Sequence, residues 1–134
     1  MLEDVKFKEM MKTHAKECLE FLLDKEYEFS AVVNLKKVKF QPVLPKEISD
    51  SFKFPVILFE FGGYTLQSSY IENDTLKFEA GFGEENFASN ITIPLNAIVQ
   101  ILYKKIPIFI NSSSNEESLD DKKEKSKKIF SLDG

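Results

Sequence analysis

The sequence predicts a mostly β protein with an N-terminal α-helix, folded as a small, strongly bent β-barrel and followed by a disordered C-terminal tail. Three observations carry this. Apolar residues near the N-terminus recur at three-and-four spacing. The middle of the chain switches to six short runs rich in β-branched and aromatic residues, parted by Gly, Pro and Asn-Asp signals. From Ser112 to Lys128 almost nothing could enter a core.

The helix is expected over residues 3–24. Phe7, Met10, Met11, Ala15, Cys18, Leu19, Leu22 and Leu23 form its apolar set, and Glu3 and Asp4 suit the positive end of the helix dipole. This set covers more than one face. Met10, Met11, His14, Cys18 and Leu22 are therefore expected to line a homodimer interface, since a two-fold helix pair would bury the surplus.

"SAVVNLKKVKF" alternates as a half-buried strand does. "QPVLPKEISDSFKFP" holds three of the five prolines and reads as an irregular connection. "PVILFEF" is a central strand, broken by Gly62-Gly63. "LQSSYI" and "TLKFEAGF" read as strands around a tight turn at Glu72-Asn73-Asp74. In the second strand Leu76, Phe78, Ala80 and Phe82 share one face; Lys77, Glu79 and Gly81 share the other. "NITIPL" and "PIFIN" complete the strands, around a helical turn over residues 96–103. Residues 1–111 are one domain, 112–128 a flexible linker, and 129–134 a final cluster carrying Ile129, Phe130 and Leu132.

Composition excludes much. Net charge is −4, and all 18 basic residues are lysine, which counts against a nucleic-acid binder needing a basic stripe and arginine forks. One cysteine, Cys18, cannot form an internal disulfide. The charged N-terminus does not read as a signal peptide, and no apolar run reaches the roughly 18–20 residues of a membrane span, so a cytoplasmic location is expected. Gly81-Phe82-Gly83 resembles a phosphate loop only in passing: the remaining glycines and the lysine of either loop motif are missing, and Glu84 and Glu85 come next. His14 is the only histidine, so a hydrolase built on it and Cys18 is a remote reading. Zinc would lack ligands. No enzyme activity and no cofactor are expected.

Four segments in order resemble the stringent starvation protein B family, adaptors that deliver tagged proteins to the ClpXP protease. They are "ECLEFLLDKEYEFSAVVN", "PVILFEF", "NDTLKFEAGFG" and "ITIPLNAIVQIL". The closing "KKIFSLDG" is similar to the end of some members. The resemblance implies an Sm-like barrel with a helix that dimerises. It implies a groove for the ssrA degradation tag and a tethered terminal peptide that docks on the ClpX unfoldase. An extended tag needs backbone donors and acceptors and shallow pockets, which the strand Lys77–Phe82 and the glycine-broken stretch Phe61–Thr65 can offer, so tag contacts are expected at Phe61, Gly62, Gly63, Lys77, Phe78, Glu79, Ala80, Gly81 and Phe82, with Gly81-Phe82-Gly83 as the rim of the cleft. Ile129, Phe130 and Leu132 would be the anchors on ClpX. Gly81 stands where the family is commonly basic and Glu79 where asparagine is frequent, so the implied groove is less basic and its tag preference shifted. The alternative reading is an Sm-like RNA-binding module, resting on the barrel alone, or another peptide-binding module.

Overall fold

The structure, a computed structural model, describes residues 1–113. Helix α1 (Val5–Lys25) opens the fold. Asp4 caps it, its carboxylate accepting from the Lys6 N–H at 2.8 Å. Glu26 ends it in the left-handed conformation, with the Tyr27 N–H donating to the Leu22 carbonyl at 3.0 Å.

Eight strands come after it: β1 (Phe29–Asn34), β2 (Lys39–Gln41), β3 (Val56–Phe61), β4 (Tyr70–Glu72), β5 (Thr75–Phe82), β6 (Phe87–Pro94), β7 (Ile98–Tyr103) and β8 (Ile106–Ile110). They form two antiparallel four-stranded sheets, ordered β3-β1-β7-β8 and β2-β6-β5-β4. Two short helices, α2 (Lys46–Ser49) and α3 (Gly63–Ser68), join the strands. Both sheets and α1 feed one core: Ala15, Leu19 and Leu22 of α1 lie with Phe59 and Phe61 of β3 and Leu76 and Phe78 of β5. Phe61 stacks on Phe29 at 4.5 Å between centroids and meets the edge of Phe78 at 4.6 Å.

The expected elements hold with three corrections, and eight strands stand where six were expected. The first strand stops at Asn34, whose side chain caps a 3-10 turn over Leu35–Lys37, and β2 then joins the other sheet. The stretch expected as strand "LQSSYI" is helical through Ser68, and only Tyr70–Glu72 is strand. The helical turn expected over residues 96–103 is a 3-10 turn at Leu95–Ala97 leading into strand β7. Gly62-Gly63 ends β3 as expected, and Gly63 opens α3.

The tight turn is as expected. Asn73 and Asp74 both take positive φ, 48° and 60°, the two-residue geometry that matches the twist of a hairpin. A second such turn at Lys104-Lys105 joins β7 to β8. The linker beyond Ser113 and the anchors Ile129, Phe130 and Leu132 lie outside the described residues.

Candidate functional site

Strand alternation decides which side chains can meet a ligand. On β5, Leu76 and Phe78 are buried, and Ala80 and Phe82 pack partly buried against the core. Lys77, Glu79 and Gly81 therefore look outward. Register aligns them with β6: Lys77 opposite Thr92, Glu79 opposite Asn90, Gly81 opposite Ala88. Tyr70 extends the first row on β4, and Lys39 and Gln41 extend both rows on β2. The outer face of this sheet is thus a polar surface two rows deep.

A cleft of about 400 Å³ opens on it, lined by Ser68, Tyr70, Lys77, Glu79, Asn90 and Thr92, with Phe78 and Ile91 also contributing. Its flank is α3. Strand pairing on this side of β5 stops at Lys77. Beyond it Ser68 Oγ takes the place of a strand, accepting from the Glu79 N–H at 2.9 Å while donating to the Thr65 carbonyl at 2.8 Å. The Tyr64 hydroxyl donates to Glu79 Oε2 at 2.9 Å, and this bond pushes the phenol above its ordinary range. Lys77 Nζ donates to Glu72 Oε1 at 3.1 Å, which raises the ammonium in turn. One cation, one carboxylate, one carboxamide and several hydroxyls make a mixed surface. It suits the alternating donors and acceptors of an extended peptide better than a polyphosphate.

The tag contacts named from the sequence divide. Lys77, Glu79 and Gly81 are brought together on the outer face, and Gly63 is exposed at the start of the flanking helix, next to half-buried Gly62. Phe61 and Phe78 are a correction: both are core side chains, 1% and 3% exposed, because their parity turns them inward. Ala80 and Phe82 share that inward face, Phe82 meeting Phe40 edge-on at 5.8 Å.

Gly81-Phe82-Gly83 ends β5 and enters a hairpin loop. Gly83 takes φ +72°, and the Asn86 N–H donates to its carbonyl at 3.1 Å. The Asn86 side chain lies so close over Gly81 that a Cβ there would overlap its carboxamide. Sequence reasoning covered Tyr64 only within the stretch Phe61–Thr65 and missed Ser68, Tyr70, Asn90 and Thr92. The last two were within reach: in "NITIP" they alternate with Ile91 and Ile93, both buried.

The proposed dimer residues also divide. Met10 and His14 are exposed on α1, whereas Met11 and Cys18 are half-buried and pack on the chain's own core. Leu22 is a correction: at 2% exposure it belongs to the interior and presents nothing to a partner. Burial pushes the Cys18 thiol up, away from the thiolate that a nucleophile requires. Among the described residues no group of three or more His, Cys, Asp or Glu could hold a metal ion. No described helix is long and apolar enough to cross a membrane. The sequence matches no family model and no curated protein.

Proposed function

We propose that the protein is a non-enzymatic proteolytic adaptor of the cytoplasm, holding an ssrA-type degradation tag in extended form and delivering the tagged substrate to ClpXP. The observation that carries this reading is the outer face of β5 and β6. There Lys77, Glu79, Asn90 and Thr92 surround a cleft beside a strand that loses its pairing partner after Lys77. A peptide laid along such a face finds side-chain donors, acceptors and shallow pockets together. The four-segment resemblance points the same way, and "NDTLKFEAGFG" and "ITIPLNAIVQIL" include most of these residues.

On this reading the two sheets are the halves of an Sm-like barrel wrapped on one core. The chain works as a homodimer paired through the exposed edge of α1, at Met10 and His14. Ile129, Phe130 and Leu132 dock on ClpX at the end of a tether, each contributing roughly 1.5–3 kcal/mol before ordering costs.

The test is degradation of an ssrA-tagged reporter by ClpXP with and without the protein. The intact chain accelerates it at limiting reporter. Deleting residues 129–134 leaves tag binding in place and abolishes the acceleration. No acceleration by the intact chain would count against the adaptor reading; acceleration that survives the deletion would move the docking element elsewhere.

A further inference from the structure

The chain leaves the described fold on one flank of α1. Ser113 shares a cleft with Val5, Lys8, Glu9 and Lys12 of that helix. The same flank continues through Lys16 and Glu20 to Leu23, since positions 5, 9, 12, 16, 20 and 23 form one stripe at helical spacing. At its far end an open cleft of about 540 Å³ is walled by Glu20, Phe21, Leu23 and Asp24 of α1 and by Ile71 of β4. Phe21 is 55% exposed there. Neither Glu20 nor Asp24 has a cationic partner among the described residues. The cleft is apolar at its walls and acidic at its rim.

The chain beyond Ser113 contains the complementary pattern. Lys125, Lys127 and Lys128 come directly before Ile129, Phe130 and Leu132. We propose that this segment folds back within its own chain and seats on the α1–β4 cleft, Ile129 and Phe130 against Phe21, Leu23 and Ile71, the lysines against Glu20 and Asp24. Length permits it. From Lys12 or Glu9 to Leu23 the helix rises roughly 16–21 Å. A random chain of sixteen links, the number from Ser113 to Ile129, spans about 20–24 Å. A contact too weak to hold between separate molecules is still populated here, because a tether of this length keeps it at roughly millimolar effective concentration. The inference needs only the free chain and does not depend on the adaptor reading. If that reading also holds, the cleft keeps the docking segment covered until an unfoldase competes for it.

The experiment compares amide resonances of the intact chain with those of the full-length double variant Ile129→Asp, Phe130→Asp. The core of the described residues includes neither position. Expected are shift differences confined to residues 20–24 and 71, unchanged over a tenfold range of concentration and reduced by added salt or by Glu20→Lys with Asp24→Lys. Identical resonances at these positions would overturn the proposal. So would differences that grow with concentration, which mean a second copy's tail, or differences centred on other exposed apolar residues such as Leu58 or Ile110.

Discussion

Gly81 sits where a side chain would collide with Asn86, and Asn86 itself holds a positive φ of 52° in the hairpin loop. No backbone angle demands glycine there, and the atoms a Cβ would meet are the far end of the exposed Asn86 side chain, which can swing aside. Replacing Gly81 by Ala should therefore change stability by no more than about 0.5 kcal/mol, read from the urea unfolding midpoint. Phe61 makes the opposite case. Its ring stacks on Phe29 and abuts Phe78 in the core, so Phe61→Ala should lower stability by about 3–5 kcal/mol, measured by the unfolding midpoint. A surface contact for a peptide would cost almost nothing in the same measurement. The phenylalanines of "FEF" and "KFEAGF", with Ala80, build the floor beneath the site; Glu60, Glu79 and Gly81 between them alternate to the other face.

At the scale of elements, α1 is tied to the β4–β5 turn by Asp74. Its carboxylate meets Lys12 Nζ at 3.2 Å and Lys16 Nζ at 3.7 Å, and Lys12 also reaches Glu9 at 3.0 Å. The hydrogen bond from Lys12 and then its charge hold the Asp74 carboxyl below the usual range. A depressed carboxyl contributes stability that is present above its unfolded value of about 3.9 and lost as pH falls through the lower folded value. Asp74→Asn should therefore lower the melting temperature slightly at neutral pH and flatten its decline in acid. Added salt should shrink the difference, because the pair is exposed. An acid profile identical to that of the intact chain would show that the contact carries no stability.

The elements also differ in how legible they were. The helix was readable within two residues at its start and one at its end, because a 3.6 period separates from noise only in long segments such as this one. The Asn73-Asp74 turn was readable because those residues tolerate positive φ. By contrast α3 is six residues long, too short to display a period, and Gly62-Gly63 signals a break without specifying the element beyond it. Strand β7 reads locally as a helical turn because Ile98, Ile101 and Leu102 fall at three-and-four spacing. The sheet overrides that pattern: β7 lies between β1 and β8, with a register irregularity on each side. Its closing turn uses Lys104-Lys105, a pair with no turn preference in sequence.

The whole molecule divides its labour between an aromatic interior and a polar outer sheet face, flanked by α3. The face itself was half legible. Alternation separated Lys77, Glu79 and Gly81 from their inward neighbours. Register across β6, which brings Asn90 and Thr92 beside them, and the turn of α3 that delivers Ser68 and Tyr64 arise from long-range pairing that no local pattern encodes. The claim that this face holds a peptide is tested most directly by titrating a fluorescently labelled ssrA peptide into the intact protein and reading anisotropy, in parallel with the full-length variant Asn90→Asp, Thr92→Val. The account predicts saturable binding of one peptide per chain at micromolar affinity, weakened about tenfold or more in the variant, whose melting temperature stays near that of the intact protein. Absence of saturable binding, or equal affinity in the two proteins, would contradict it.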